Sequence, residues 1–380
     1  MTLLDLGVVG TSAKENEHRL PLHPEHLSGL DPDLRARITL EHGYAERFGV
    51  ADSALADVVA GFASRDEILA GSDVVLLPKP QHADLALLRE GSVLWGWPHC
   101  VQDPGLTQLA IDRGLTLIAF EAMNHWTRDG NVGLHVFHKN NELAGYCSVL
   151  HALQLTGRTG DYGRRLRAAV IGFGATARGA VTALNAHGVH DVCVLTTRGV
   201  AAVGSPIHSV RILQFDHDPL EPHLSHVITE RGRVPVAQFL TERDIVVNCT
   251  LQDTAAPLTY LSTDDAADFR PGSLVVDVSC DEGMGFEWAR PTSFEDPMFR
   301  VGHVEYYGVD HSPSYLWDSA TWENSLALIP FLRPVLGGDV SWDNDETLSR
   351  AIEIRDGRVV NPAILAFQGR SETHPHLLVG

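Results

Sequence analysis

Short apolar runs rich in β-branched residues recur along the first third of the chain, and segments with helical spacing separate them. The runs that we expect to be strands are residues 4–10, 36–43, 73–80, 92–97 and 116–123. Between them, residues 65–72 and 105–114 mix apolar and polar positions at helical spacing and end in Ser or Gly. This alternation predicts an α/β layer.

A second α/β series begins with residues 140–157, whose Leu, Ala and Val positions predict a long helix with one face against a sheet. The strands predicted after it are residues 167–174, 191–198, 244–250, 273–281 and 305–311. Their nearly continuous apolar runs are typical of parallel strands that are covered on both faces. A helix over residues 319–332 is predicted to follow the final strand and return to the first series.

A glycine motif joins the first strand of the second series to the helix after it. Gly172, Gly174 and Ala177 form a GxGxxA pattern within AAVIGFGATARG. Gly172 would permit the tight turn, Gly174 would let the backbone approach a pyrophosphate, and Ala177 would allow close helix packing. The position between strand and helix favours a dinucleotide site over a turn without a ligand.

The end of the next strand indicates which dinucleotide binds. Enzymes that use NAD usually place Asp or Glu there, whereas this chain has Thr196, Thr197 and Arg198. No carboxylate would repel a 2′-phosphate, and Arg198 can hold one with charge-assisted hydrogen bonds. We therefore predict that Thr197 and Arg198 contribute to binding NADPH, with NADH as the alternative cofactor and a solvated Arg198 as the alternative interpretation.

The length of 380 residues exceeds what one hydrophobic core usually organises. We predict an α/β protein of two doubly wound domains with an active-site cleft between them. Residues 1–138 and 318–380 would form the substrate-binding and catalytic domain, and residues 139–317 the Rossmann dinucleotide-binding domain.

Composition and charge narrow the choice of partner. The chain is 44% hydrophobic and 21% charged, which is typical of a globular protein. Its net charge of −20 would repel nucleic acid and anionic lipid, so we expect small-molecule partners. Without a basic start before an apolar run, or an apolar stretch of about 20 residues, we expect a cytoplasmic protein without a membrane segment.

Cysteine and histidine spacing gives no indication of a metal site. Five scattered cysteines contain no CxxC pair, so we expect them to be reduced and mostly buried. His135 and His138 lie three residues apart, but no HExxH or comparable ligand set accompanies them. We predict that the protein binds no metal.

Several segments resemble the superfamily of alanine dehydrogenase, transhydrogenase and saccharopine dehydrogenase. They are KENEHRLPLHPEHL (14–27), LPKPQ (77–81), LWGWPHC (94–100) and VVDVSCDEGMGFEWARPTSFEDP (275–297). With NCTLQDTAAP (248–257), the last segment looks most like the N5-(carboxyethyl)ornithine synthases. Those enzymes condense pyruvate with the side-chain amine of ornithine and reduce the imine with NADPH.

Two positions depart from alanine dehydrogenases. Those enzymes typically have an acidic residue after the second strand of the dinucleotide domain, where this chain has Thr-Thr-Arg. They also have an Asn-Met-Pro-like turn where this chain has Asp310-His311-Ser312-Pro313. Both departures favour a synthase over a simple alanine dehydrogenase.

The resemblance implies roles for three residues of the first domain. Arg19 would grip the carboxylate of a 2-oxo acid with its planar fork, and Lys79 would add a point charge at the carbonyl or carboxylate. His99 would carry protons during loss of water from the carbinolamine. Taken alone, each residue is more consistent with a surface charge or a packed imidazole than with a catalytic role.

The second domain supplies further candidates. Asp281 ends a Rossmann strand, where its carboxylate can face the nicotinamide and orient an ammonium, although a carboxylate that caps a helix is the alternative. Asp310, with His311 beside it, is a candidate for substrate binding. The chemistry therefore rests on Lys79, His99 and Asp281.

We predict NADPH-dependent reductive condensation of a pyruvate-like 2-oxo acid with the side-chain amine of ornithine, lysine or a related amino acid. An alanine dehydrogenase-like or saccharopine dehydrogenase-like enzyme is the first alternative. A catalytically silent NADP(H) sensor is the second, and the presence of all four residues Arg19, Lys79, His99 and Asp281 disfavours it. We also expect a homo-oligomer.

Overall fold

The computed structural model describes residues 3–197, 210–216, 225–250, 252 and 257–378. The described chain divides into two compact units. Unit 1 is formed by Met1–His138 together with Trp317–Gly380, and unit 2 by Lys139–Leu316. Chain connectivity therefore places unit 2 as an insertion in unit 1.

Strands are short throughout the described residues. In chain order they are β1 (Leu6–Val8), β2 (Ile38–Glu41), β3 (Gly61–Ala63), β4 (Val74–Leu76), β5 (Val93–Gly96), β6 (Thr116–Ala119), β7 (Asn124–Trp126), β8 (Val132–His135), β9 (Arg167–Ile171), β10 (Asp191–Thr196), β11 (Arg211–Asp216), β12 (His226–Thr229), β13 (Gly232–Pro235), β14 (Ile245–Asn248), β15 (Thr259–Leu261), β16 (Ser273–Asp277), β17 (Gly285–Phe286), β18 (Met298–Val301), β19 (Val304–Tyr307), β20 (Ile352–Arg355) and β21 (Arg358–Val359).

Helices lie between many of these strands. In chain order they are α1 (Pro24–Leu27), α2 (Pro32–Arg35), α3 (Asp52–Leu55), α4 (Arg65–Gly71), α5 (His82–Leu87), α6 (Pro104–Asp112), α7 (His138–Leu155), α8 (Ala175–Ala186), α9 (Val236–Thr241), α10 (Trp317–Leu336), α11 (Asp339–Asn344), α12 (Glu346–Ala351) and α13 (Pro362–Gln368). No helix of the described residues combines the length and the apolar character that crossing a membrane requires.

The sheet of unit 1 has the strand order β21-β20-β6-β5-β4-β1-β2-β3. Strands β3 to β6 run parallel to β1, whereas β20 pairs antiparallel with β6. From β1 the chain moves to one side of the sheet through β2 and β3. It then crosses to the other side of β1 and continues through β4, β5 and β6. This reversal creates a topological switch point between β1 and β4, where ligands of such sheets usually bind.

The sheet of unit 2 has the order β13-β12-β11-β10-β9-β14-β16-β19-β18. Its parallel centre runs from β11 to β19, and antiparallel strands extend it at both edges. The order reverses between β9 and β14, which gives this sheet a switch point of its own.

Both sheets are covered on both faces, which explains the nearly continuous apolar runs. In unit 1, Val74 and Val75 belong to separate buried clusters on opposite faces of β4. In unit 2, Val275 and Val276 of β16 divide in the same way. The predicted two-domain α/β architecture is confirmed, and each central strand is shorter than the run that predicted it.

The region after residue 316 differs from the prediction. Residues 305–311 were expected to form the final strand, but β20 and β21 follow α10 and extend the sheet of unit 1. Ile352 and Ile354 of β20 are buried, and Glu353 between them makes the sequence appear polar. A strand of four residues with an internal carboxylate gives too weak a hydrophobic pattern to stand out.

Candidate active site

The predicted substrate residues of unit 1 follow three adjacent parallel strands. Arg19 lies in the loop after β1, Lys79 follows β4, and His99 follows β5. The Lys79 ammonium nitrogen is 3.0 Å from His99 Nε2. The Trp97 ring lies 5.2 Å from Arg19 Cζ and 5.9 Å from Lys79 Nζ. The structure thus brings Arg19, Lys79 and His99 together around one indole ring.

A glycine permits the close approach of the two strand ends that carry Lys79 and His99. A Cβ atom on Gly96 would lie 2.0 Å from the carbonyl oxygen of Leu77. Backbone hydrogen bonds from Leu77 to Trp95 and from Trp97 to Pro78 continue the pairing past the strands. A side chain at position 96 would therefore force β4 and β5 apart where the two candidate residues meet.

Arg19 is oriented by a carboxylate that the sequence analysis missed. Glu17 accepts hydrogen bonds from Arg19 Nε at 2.8 Å, from Nη2 and from the Arg19 backbone N–H at 3.0 Å. Burial alone would raise the pKa of Glu17, but the charge and hydrogen bonds of Arg19 lower it below its ordinary value. Because Glu17 uses two donors of the guanidinium, Arg19 can offer a substrate only part of its fork.

The loop between β1 and Arg19 is anchored from the neighbouring strand. Glu41 at the end of β2 accepts hydrogen bonds from the backbone N–H groups of Gly10 and Thr11, at 2.7 and 2.8 Å, and from the Thr11 hydroxyl. Just after Arg19, the N–H of Leu20 donates to Thr321 Oγ1 of α10 at 2.9 Å. These contacts hold the loop on both sides of the guanidinium.

His99 has a strained backbone that a second carboxylate stabilises. Its φ angle of 48° lies in the left-handed region, which costs a non-glycine residue about 1–3 kcal/mol. Its backbone N–H donates to Glu121 Oε1 at 2.7 Å, and the same oxygen lies 3.7 Å from His99 Nδ1. Because a lysine ammonium can only donate, the contact fits the His99 tautomer in which Nε2 accepts and the Nδ1–H faces Glu121.

The charge of a third carboxylate, Glu353 of β20, affects the pKa of Glu121. About a quarter of the Glu121 side chain is exposed, but its Oε2 atom is buried. Burial, followed by the charge of Glu353, raises the pKa of Glu121 to about 8. Burial also raises the pKa of Glu353, whose Oε1 accepts from Asn361 at 3.1 Å. Neither Oε2 atom has a hydrogen-bond partner among the described residues, which favours protonation of the pair near neutral pH.

In unit 2, the glycine motif lies at the switch point between β9 and β14. Gly172 has a φ angle of 111°, and a Cβ there would be 2.8 Å from the carbonyl oxygen of Cys249. Ala177 is fully buried in α8. Gly174 is the N-cap residue of α8, and no atom of the described residues lies within 4 Å of its Cβ position. The first amides of a twelve-residue helix therefore face a space that a pyrophosphate can occupy.

The residues predicted to select the cofactor follow β10. Thr196 is buried at the end of this strand, and Thr197 is exposed directly after it. Arg198 lies outside the described residues.

The remaining candidates follow two neighbouring parallel strands, β16 and β19. Asp281 is partly buried, and burial raises its pKa. Asp310 is hydrogen bonded to Nδ1 of His311, whose side chain is almost completely buried. Cysteine behaves as the sequence predicted, since all five side chains are buried thiols. Among the described residues, no group of three His, Cys, Asp or Glu side chains is placed to hold a metal ion.

Comparison with protein families identifies the chain. Residues 8–144 match the model of the alanine dehydrogenase/PNT N-terminal domain, and residues 167–362 match that of the C-terminal domain. The chain belongs to the alanine dehydrogenase/PNT family. It is thus an oxidoreductase that acts on CH–NH groups, and the resemblance stated from the sequence is confirmed.

Curated members of the alanine dehydrogenase/PNT family have two different activities in their names. Alanine dehydrogenase of Mycobacterium tuberculosis is 23% identical over 97% of this chain and 98% of its own. N(5)-(carboxyethyl)ornithine synthase of Clostridium botulinum is 24% identical over 80% of this chain and 86% of its own. These similar identities do not separate the two activities.

Solved structures of the family share the fold. An L-alanine dehydrogenase superposes with a TM-score of 0.74 at 20% identity, covering 96% of this chain and 99% of the other. A transhydrogenase from Sinorhizobium meliloti gives a TM-score of 0.70 at 20% identity, covering 94% and 99%. The agreement extends over the two domains of the alanine dehydrogenase/PNT family.

Three carboxylates of unit 1 that lie near Arg19 and His99 were not among the predicted residues. Glu17 precedes Arg19 by two positions, and Glu121 lies inside the strand predicted over residues 116–123, so both had a local signal. Glu353 had none, because β20 itself was not predicted. Arg19, Lys79 and His99 stood out only through the family resemblance.

Proposed function

We propose that the protein catalyses reductive condensation of a pyruvate-like 2-oxo acid with the side-chain amine of ornithine, lysine or a related amino acid, with NADPH as reductant. The observation that carries this proposal is the Lys79–His99 pair, 3.0 Å apart and beside Arg19. A cation pair for a carboxylate next to an imidazole for proton transfer is what imine formation from a 2-oxo acid requires.

In this proposal, Arg19 and Lys79 bind the carboxylate and carbonyl of the 2-oxo acid. Arg19 arrives already oriented by Glu17, so binding requires little reordering of its side chain. When the Lys79 ammonium turns from His99 Nε2 to the substrate carboxylate, Nε2 takes one proton from the substrate ammonium. A second proton passes from the attacking nitrogen to the former carbonyl oxygen, and His99 returns the first to that hydroxyl, which leaves as water. Glu121 Oε1 lies 3.7 Å from Nδ1 and accepts the His99 backbone N–H, so it holds the imidazole in place during the transfer.

The dinucleotide binds unit 2 in this proposal, and when bound it supplies the hydride that reduces the imine. The amides at the start of α8 and the space beside Gly174 fit a pyrophosphate. Asp281, at the carboxyl end of β16, attracts the amino group of the substrate, and Asp310 contributes to substrate binding.

NADPH is proposed over NADH on the residues after β10. Neither Thr196 nor Thr197 can repel a 2′-phosphate, and Arg198 can pair with one. Arg198→Asp should weaken NADPH binding by roughly ten- to a hundredfold and leave NADH binding nearly unchanged. Titration of both cofactors by fluorescence tests this, and equal losses for both, or a wild-type preference for NADH, would argue against the assignment.

A second candidate function is an alanine dehydrogenase that uses ammonia, supported by relatives of that name that match nearly the whole chain. Oxidation of NADPH and NADH should be followed with pyruvate, oxaloacetate, glyoxylate and 2-oxoglutarate, each combined with ammonia, ornithine or lysine. The proposal expects faster turnover with a diamino acid and a secondary amine detected by mass spectrometry. Alanine as sole product, formed at a rate indifferent to diamino acids, would establish the second candidate instead.

A further inference from the structure

A fully buried carboxyl lies at the end of β16, four residues before Asp281, and none of the roles proposed above uses it. Asp277 Oδ1 accepts hydrogen bonds from Asn248 Nδ2 and from the Cys280 backbone N–H, both at 3.0 Å. Its Oδ2 accepts from the Tyr306 hydroxyl, also at 3.0 Å. These donors come from β14, from β19 and from the turn after β16 itself.

The turn that Asp277 contacts has an unfavourable backbone conformation. Cys280 has a φ angle of 44°, which non-glycine residues rarely adopt, and its side chain is buried. The turn is also joined to the end of β14, because Val278 N–H donates to the Asn248 carbonyl at 3.0 Å and Ser279 Oγ donates to the Thr250 carbonyl at 2.6 Å. A conformation of this kind persists only when surrounding contacts enforce it.

We propose that Asp277 is a positioning residue, which holds the turn of residues 278–281 in its left-handed form and so fixes the Asp281 carboxylate at the edge of the sheet. This inference rests on the role proposed for Asp281. The contact that matters most is the acceptor at Oδ1, because it binds the N–H of Cys280, the residue with the strained backbone. Tyr306 and Asn248 orient the Asp277 carboxyl from the two flanking strands.

A purely stabilising role fits the site less well. Burial raises the pKa of Asp277 to about 7, and the neighbouring carboxylate of Asp281 contributes to the increase. Tyr306, Tyr260 and Cys249 are further titratable groups that interact with it. Buried ionisable groups often stabilise a fold no better than apolar side chains of similar volume, so a role in holding the turn accounts better for a carboxyl here.

Four variants test the inference. Asp277→Leu should lower kcat by about tenfold or more, since a displaced reacting group can cost that much, while NADPH binding changes little. Asp277→Asn keeps an acceptor for Cys280 and should remain within about threefold of wild type. Tyr306→Phe, the matched control, removes the Oδ2 contact and the acceptor of the Arg290 backbone N–H but leaves both Oδ1 contacts, and it should be equally mild. In the Asp277→Leu background, Cys280→Gly should restore most of kcat, because glycine adopts a positive φ without support.

A readout that does not depend on catalysis separates this inference from the proposed function. Release of the turn should expose the Cys280 thiol, so Asp277→Leu should react faster with a disulfide reagent than wild type. Cys280→Ser in the same background should remove that increase. Accelerated labelling with a fully active Asp281→Asn enzyme would disprove the role of Asp281 but retain the held turn.

Three results would overturn the inference. The first is wild-type kcat and labelling in Asp277→Leu. The second is a folded Asp277→Leu whose loss of kcat Cys280→Gly does not relieve. The third applies even if Asp277→Leu fails to fold, namely a tenfold loss in Asp277→Asn with unchanged labelling, which would assign the role to charge instead of the turn.

Discussion

At the scale of single residues, the chemistry of the candidate site depends on carboxylates beside the predicted side chains. Lys79 and His99 could be named as candidates because the segments that contain them, 77–81 and 94–100, resemble the family. The raised pKa of Glu121, which accepts the His99 backbone N–H, was not predictable. It depends on burial and on Glu353, which is far away in sequence and becomes a neighbour only when β20 pairs with β6. A local pattern cannot report such a pairing.

The first prediction concerns His99. His99→Ala should lower turnover by about a hundredfold or more if the imidazole transfers the proton, because general acid–base catalysis contributes that much. The dissociation constant for NADPH should not change, since the glycine motif belongs to unit 2. Steady-state rates and fluorescence titration measure the two quantities. A fully active variant would reduce His99 to a structural residue.

The second prediction concerns the protons on Glu121 and Glu353. Both pKa values are raised in the folded state, so this pair stabilises the fold fully below the ordinary range near 4.5 and loses that contribution as the pH rises toward about 8. Glu353→Gln removes the like charge and should flatten the fall of Tm between pH 5 and 8. Exposed Glu90→Gln is the control and should follow the wild-type curve. Parallel curves for wild type and Glu353→Gln would show that the two carboxyls do not interact.

At the scale of elements, the parallel strands were predictable because burial on both faces leaves apolar runs that need no partner to be recognised. The hairpin of β7 and β8 was not, since Val132 and Leu134 are exposed and the pattern carries no buried face. The glycine motif gained its meaning from its position between β9 and α8. Its two glycines have different surroundings, because a Cβ on Gly172 would meet the Cys249 carbonyl and a Cβ on Gly174 would meet no described residue.

The third prediction uses those glycines as a matched pair. Gly172→Ala should destabilise the protein, because φ is 111° and the new Cβ would approach the Cys249 carbonyl to 2.8 Å. Gly174→Ala should keep the wild-type Tm, because its new Cβ meets no atom of the described residues within 4 Å. It should weaken NADPH binding by about tenfold, since the backbone must approach the pyrophosphate there. Thermal melts and cofactor titration distinguish the two. Unimpaired binding in Gly174→Ala would place the pyrophosphate elsewhere.

At the scale of the whole molecule, the two-domain α/β architecture was predictable from length and from two series of alternating elements. The chain's return to unit 1 was predicted only as far as α10, because β20 and β21 are short and partly polar. Sequence similarity does not decide between a synthase and a dehydrogenase, since an alanine dehydrogenase matches at 23% identity and a synthase at 24%.

The fourth prediction is that the protein forms a homo-oligomer. Trp322 and Leu326 lie one turn apart on α10 and remain 39% and 47% exposed. A subunit interface would remove this apolar surface from water. Light scattering should give a mass that is a multiple of 41.4 kDa. A mass of one chain at micromolar concentration would contradict the prediction.

Insertion of unit 2 into unit 1 also affects how the chain folds as it leaves the ribosome. Strand β6 emerges early, but its partner β20 is translated only after the whole of unit 2. Until then β6, whose Leu117 and Ile118 are fully buried in the finished fold, is an open edge of the nascent sheet. Such an edge is prone to pair with other chains. Unit 2 has no such delay, because all of its strands are consecutive. We therefore expect unit 2 to fold during translation, and the half-finished unit 1 to be the part that depends on chaperones.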